Sequence, residues 1–297
     1  MIAQKNQFIG CDREYEEADT VLFGAPYDST TSFRPGTRFG PAAMRMESFG
    51  IETYSPLQDR DLAEDAKVFD SGDIELPFGA PEPALALIEE RAAQILADGK
   101  RPFLIGGEHL VTLGAFRAVA KKYPDVVVIH FDAHADLRED YLGNPLSHAC
   151  VLRRCHDLVG DGRIFQFGIR SGTREEFQFM KAGHVTTEPF ADTTLAAVVS
   201  SIAQSNDPTP PVYLTIDMDV LDPSEFPGTG TQEAGGFRYN QLVADVRLIC
   251  EKLNVVAMDN VELNPGLDPT GRSTALACKF LRECLLARAS GRNLEVR

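Results

Sequence analysis

The feature that most constrains this chain is a succession of short apolar runs that are continuous rather than alternating. They occupy residues 20–23, 102–105, 126–131 (VVVIHF), 163–169, 212–216 and 255–258. A strand with one solvated face alternates polar and apolar residues. A continuous run instead suits a strand covered on both faces, as in a parallel sheet. Between the runs, residues 82–97, 110–122, 174–181, 193–204, 239–253 and 274–289 carry apolar side chains at helical spacing. Pro41, after Phe39-Gly40, reads as a first-turn proline opening a short helix. The repetition predicts an α/β fold, a mainly parallel sheet with helices on both faces. The Gly- and Pro-rich stretches 28–40, 78–83, 208–211 and 226–236 fall between elements and read as loops. A single domain over residues 1–297 is expected, with no internal repeat.

Composition narrows the function classes. With 29 basic and 44 acidic residues the formal charge is −15, which disfavours nucleic acid and anionic lipid as partners and suits cations. No stretch approaches the roughly 20 apolar residues of a membrane span. The first seven residues lack the basic and apolar pattern of a secretory signal. The six cysteines form no Cys-x-x-Cys pair and are too sparse for a disulfide scaffold, so they are expected as reduced thiols in the cytoplasm.

The ends of the apolar runs carry the chemistry. Residues 126–131 lead into Asp132-Ala133-His134-Ala135-Asp136, and 212–216 into Asp217-Met218-Asp219. Residues 102–105 lead into Gly106-Gly107-Glu108-His109, and 255–258 through Asp259-Asn260-Val261 to Glu262. The carboxyl edge of an open α/β sheet is where ligands bind. In an extended chain, residues two apart project to one side, about 6.6 Å from each other. Asp132, His134 and Asp136 are therefore expected to converge, with Asp217 and Asp219 from a second strand and His109 from a third. Crowded carboxylates repel one another and are costly to bury unpaired, so a cation is the natural occupant. Four carboxylates and two imidazoles suffice for two divalent ions if some carboxylates bridge. Carboxylate-rich donors without cysteine argue against a structural zinc site. They suit Mn²⁺, with Fe²⁺, Co²⁺, Ni²⁺ and Zn²⁺ also compatible.

These segments resemble the three signatures of the ureohydrolases, the family of arginase and agmatinase. The resemblance runs from Gly24-Ala25-Pro26 and residues 34–41 (RPGTRFGP) to Gly271-Arg272, nearly the whole chain. It implies a three-layer α/β/α sandwich and a binuclear manganese cluster, two Mn²⁺ per subunit. By position, one ion is implied to be held by His109, Asp132, Asp136 and Asp217. The other is implied at His134, Asp132, Asp217 and Asp219, with a bridging water or hydroxide that attacks the guanidinium carbon. Residues 136–149 are similar to the agmatinase loop, so the implied reaction is agmatine to putrescine and urea. Residues 223–236 resemble a family loop but carry Gln232 and Ala234 where prolines are usual, which removes some rigidity.

On the same matching, His148 is the expected proton-transfer residue and Glu262 the expected anchor of the guanidinium fork. Asn144 and Ser147 are candidate substrate contacts, and Glu233 could meet a distal ammonium or brace its own loop. Gly36, Gly40, Gly106 and Gly107 are expected to serve turns and close packing. His130 is expected as a satisfied core histidine. His156 and His184 fall in no matched motif and are expected to be structural or exposed. The nearest alternatives are ureohydrolases for guanidinobutyrate, guanidinopropionate or arginine, and a formimidoylglutamase. Carboxylate-bearing substrates call for a basic partner, which a single residue such as Arg138 could supply. A two-metal phosphohydrolase would want Lys or Arg in the matched motifs, which offer none. A non-catalytic scaffold would not need His148 or Glu262. The family resemblance further implies a homo-oligomer, a trimer or hexamer.

Overall fold

The structure is a computed structural model and describes residues 7–188, 194–205 and 209–290. The strands are β1 (Thr20–Ala25), β2 (Tyr54–Ser55), β3 (Arg60–Asp61), β4 (Val68–Asp73) and β5 (Arg101–Gly106). They continue with β6 (Val127–Phe131), β7 (Ile164–Phe167), β8 (Thr186–Thr187), β9 (Pro211–Asp217) and β10 (Asn254–Val261). The α-helices are α1 (Gly40–Glu47), α2 (Leu62–Asp65), α3 (Pro81–Ala97), α4 (Val111–Lys122) and α5 (Val151–Val159). They are followed by α6 (Arg174–Lys181), α7 (Leu195–Ser205), α8 (Tyr239–Lys252) and α9 (Arg272–Ser290). The expected helix over 193–204 begins, and the expected loop over 208–211 begins, one residue outside the described residues.

Eight strands form one sheet in the order β4-β1-β5-β10-β9-β6-β7-β8, with every described pairing parallel. The continuous apolar runs have the cause expected of them, because each central strand feeds two cores. Val127, Ile129 and Phe131 of β6 pack on one face, with α7, α8 and α9. Val126 and Val128 pack on the other, with α3, α4 and α5. In β9, Val212, Leu214 and Ile216 face the first layer and Tyr213 the second. This is a three-layer α/β/α sandwich. Burying each such Val, Leu, Ile or Phe contributes roughly 1.5–3 kcal/mol.

Strand β4 was not expected. Its sequence, VFDSGD, has no apolar run because it is an edge strand whose polar residues are engaged. Asp70 receives Arg45 Nε at 2.8 Å and Nη2 at 2.9 Å, and Arg45 also pairs with Asp73. Arg45 is fully buried. Removing either partner would strand a buried charge, so this pair binds α1 to the sheet edge at high stakes. Helix α5 was missed as well; its sequence VLRRCHDLV is polar on one side and buries only Val151, Leu152 and Cys155.

Candidate metal centre and active site

The strands β5, β10, β9 and β6 are neighbours at the centre of the sheet. Their registers place Ile105, Asn260, Ile216 and Phe131 side by side. The polar residues that follow are thereby delivered to one stretch of the carboxyl edge. Strand alternation accounts for part of their convergence: Asp217 closes β9, and His134 pairs with Ser171 in an isolated parallel bridge. β6 ends at Phe131, and residues 218–220 form a 3₁₀ turn rather than extended chain. Backbone pairing continues past β6, with Arg170 N donating to Ala133 O at 2.8 Å and Ala135 N donating to Ser171 O at 3.1 Å, and side-chain hydrogen bonds add to it. Asp132 Oδ1 accepts from His134 N at 2.6 Å, and Asp217 Oδ1 accepts from Asp219 N at 2.8 Å. Asp136 (φ 53°) and Glu262 (φ 66°) adopt left-handed backbone, uncommon outside glycine. Both aim a carboxylate into the site, the kind of place where such strain is found.

The expected metal ligands meet around two imidazoles. His109 Nδ1 lies 3.0 Å from Asp132 Oδ2, 3.2 Å from Asp136 Oδ2 and 3.4 Å from Asp217 Oδ2. His134 Nδ1 lies 2.9 Å from Asp219 Oδ2 and 3.5 Å from Asp132 Oδ1. Asp132 thus turns one oxygen to each half of the cluster. Orientation comes from groups that gave no local signal. Thr215 Oγ1 is 2.9 Å from His109 Nε2 and donates to Asp259 Oδ1 at 2.7 Å, while Tyr213 donates to Asp259 Oδ2. Gln166 Nε2 donates to His130 Nδ1 at 3.1 Å, which leaves His130 Nε2 to donate to Asp132 Oδ2 at 2.9 Å. Thr187 Oγ1 in turn donates to Gln166 Oε1. His130 is therefore a satisfied core histidine that also holds a carboxylate. Orienting partners of this kind are a regular part of metal sites.

Electrostatics and hydrogen bonding test whether cations fit here. Burial, together with the Asp219 and Asp132 carboxylates, pushes Asp217 well above the usual carboxylate range. Burial opposes ionisation of Asp132 as well, but His109, His130 and His134 hold it well below that range. Among the described residues, His109 Nδ1 is a buried polar atom with no hydrogen-bond partner, although three carboxylate oxygens surround it. One imidazole nitrogen facing three carboxylate oxygens is the donor set of a divalent cation. The residues present fit such ions.

A cavity of about 240 Å³ opens beside the cluster and is lined by His134, Asp136, Asp217, His148, Arg138 and Tyr141 among others. Glu262 Oε1 accepts from the His109 backbone N–H at 2.8 Å and lies 3.5 Å from His148 Nδ1. Ser32 N lies 3.1 Å from His148 Nε2, which leaves Nδ1 to face Glu262. Burial pulls the His148 pKa down, but the Glu262 carboxylate, helped by Asp136 and Glu108, pushes it up to about 9. Glu108 fastens the loop that carries Ser32. It accepts from Thr30 N–H at 2.8 Å and from the hydroxyls of Thr30 and Thr31. The roles of Thr30, Ser32 and Glu108 were missed. Their only sequence signal was a loop between glycines and prolines, and Glu108 stood within a matched motif without a role. Gly107 permits the approach, since a Cβ there would lie 1.9 Å from Tyr27 O.

The remaining candidates have local tasks. Asn144 Oδ1 accepts from Leu146 N in an exposed turn, and Ser147 Oγ accepts from Ala149 N just ahead of α5. Both shape the segment that presents His148. Glu233 is half exposed, and its Oε1 is 3.9 Å from His134 Nε2. Its loop is braced without prolines at 232 and 234: Gln232 donates to Pro227 O, and Arg170 donates to Glu233 O and Asp219 O at 2.9 and 2.8 Å.

Comparisons with known proteins agree with this architecture. The Arginase family model matches residues 18–287. The agmatinase of Bacillus subtilis (strain 168) is 47% identical over 281 residues, covering 94% of this chain and 95% of that protein. The N(1)-aminopropylagmatine ureohydrolase of Thermococcus kodakarensis is 38% identical over 271 residues, 90% of each chain. Among solved structures, the agmatine ureohydrolase of Thermoplasma volcanium superposes with a TM-score of 0.84 at 33% identity, covering 97% of this chain and 96% of that one. Among the described residues no helix is long and apolar enough to cross a membrane. With the fold, the carboxyl-edge cluster and these likenesses together, the chain belongs to the arginase family and is a ureohydrolase.

Proposed function

We propose that this enzyme is an agmatinase, hydrolysing agmatine to putrescine and urea with two Mn²⁺ per subunit. The observation that carries the reading is the placement of Glu262 and His148 beside a buried cluster of four aspartates and two histidines. We assign one ion to His109, Asp132, Asp136 and Asp217, and the other to His134, Asp132, Asp217 and Asp219. When bound, such a pair of cations supplies hydroxide at neutral pH and steadies developing negative charge.

The chain's own residues do the rest. Glu262 offers its carboxylate to the planar fork of guanidinium N–H donors, a strong and directional pairing. His148 keeps a proton on Nδ1 at neutral pH and can pass it to the departing amine, which must leave protonated. The acidic balance of the chain favours a dication such as agmatine. Glu233, half exposed at the cluster, could meet the distal ammonium. Asn144 and Ser147 serve by holding the His148 segment in place. The same reading includes a cytoplasmic location and a homo-oligomer, trimeric or hexameric.

A second reading rests on Arg138, which lines the cavity. A guanidinium there could receive the carboxylate of guanidinobutyrate, guanidinopropionate or arginine. Against it, Arg138 lies 3.6 Å from Glu176 and over the Tyr141 ring, so its charge is already matched. The test is a panel on purified protein with Mn²⁺. Urea release is compared for agmatine, N1-aminopropylagmatine, arginine, guanidinobutyrate and guanidinopropionate, and formamide release is followed for formimidoylglutamate. The highest kcat/KM is expected for agmatine, and a guanidino acid leading the panel would replace this reading with the second.

A further inference from the structure

A second group of metal-type donors lies at the opposite, amino-terminal edge of the sheet. His156 sits in the last turn of α5, Asp161 in the turn entering β7, and His184 between α6 and β8. Asp161 Oδ1 is 2.8 Å from His156 Nε2 and 2.9 Å from His184 Nδ1. All three donor atoms lie within 4.8 Å of one another. We propose that His156, Asp161 and His184 form a peripheral site for a transition-metal dication, Zn²⁺ in preference to Mn²⁺, distinct from the catalytic pair.

Three observations support the assignment. The separations match those within the catalytic cluster of the same chain, where imidazole nitrogens stand 2.9 and 3.0 Å from carboxylate oxygens. Donors each about 2.0–2.1 Å from a zinc ion sit roughly 3 Å from one another, so the side chains need little movement to accept one. The rings are also preset. Phe179 stacks on His184 at 4.3 Å and meets His156 edge-on at 5.0 Å, and Arg153 lies 4.3 Å over the same phenyl ring. Finally, the backbone aims the carboxylate. Gly160 (φ 76°) and Gly162 (φ 75°) flank Asp161 in a turn that other residues would strain.

Donor chemistry sets the choice of ion. Two imidazoles and one carboxylate, with water completing the sphere at a half-exposed position, are borderline donors that rank Zn²⁺ above Mn²⁺. The catalytic cluster, with four carboxylates to two imidazoles, leans toward the harder ion. An ion at the peripheral site would tie α5, the entry to β7 and the α6–β8 connection together. It would stabilise the fold by mass action without touching substrate.

The test uses the full chain loaded with Mn²⁺ and dialysed against micromolar Zn²⁺. Zinc per chain is read by elemental analysis and Tm by calorimetry. Wild type should carry one more zinc per chain than His184→Ala and Asp161→Asn. Zinc should raise the Tm of wild type, and that rise should be lost in both variants. Comparing each variant with wild type cancels any zinc that enters the catalytic site. Asp161 is exposed, so Asp161→Asn should unfold cooperatively even if His184→Ala folds poorly. Equal zinc content and an equal zinc-dependent Tm rise in wild type and Asp161→Asn would overturn the proposal.

Discussion

The two edges of the sheet carry similar side chains under opposite conditions. At the carboxyl edge, His109 and the four aspartates are buried and His134 is part-buried, two non-glycine residues hold left-handed backbone, and an imidazole nitrogen lacks a hydrogen bond. At the amino edge, Asp161 is exposed, glycines supply the unusual backbone, and both imidazoles find a partner. Burial makes the difference. Carboxylates that water cannot reach must find positive charge, so the first cluster is incomplete without cations, whereas the second is satisfied with or without one. Strain and an orphaned donor thus mark the site built around an ion.

That contrast can be broken experimentally. The largest effect expected is from exhaustive chelation, which should abolish urea release, with Mn²⁺ restoring it. Full activity after chelation would mean that the buried cluster tolerates emptiness as the exposed one does. Next, Asp132→Asn removes the carboxylate shared by both halves. Bound manganese should fall below two per chain and turnover by roughly 10³-fold or more. Two retained ions at full rate would refute the ligand assignment. His148→Ala should lower kcat by about 10²- to 10⁴-fold, the range of general acid catalysis, with manganese content unchanged. An unaltered kcat would remove His148 from the chemistry. The smallest of the four is Glu262→Gln, which should lower kcat/KM for agmatine by about 10- to 100-fold, equivalent to a charged hydrogen bond of about 1.5–3 kcal/mol. An unchanged value would take the anchoring role away from Glu262.

Legibility in the sequence followed locality. The runs at 126–131 and 212–216 predicted β6 and β9 because double-sided burial leaves a continuous apolar stretch in one short segment. β4 escaped because its stabilising partner, Arg45, is 25 residues away and buried, and no local pattern reports such a pair. The six candidate metal ligands were readable as residues, and alternation explains their convergence only in part. Pairing with residues 167–171 carries the chain on to Ala135, and the Asp132 and Asp217 turns with the left-handed Asp136 complete the task. The partners that orient those ligands left no trace. Thr215 and Asp259 lie 44 residues apart, and His130 and Gln166 lie 36 apart.

By itself, the sequence determined the layered α/β class and the inventory of acidic and imidazole groups at the ends of the apolar runs. Both are local properties, written in the period of hydrophobicity and in the residue that follows each run. Only the tertiary structure decided which of those groups meet. The parallel register that brings Ile105, Asn260, Ile216 and Phe131 level makes one site of four distant segments. The same folding gathers His156, Asp161 and His184 at the far edge. Such meetings depend on the pairing of strands and the return path of helices, which no stretch of chain specifies alone.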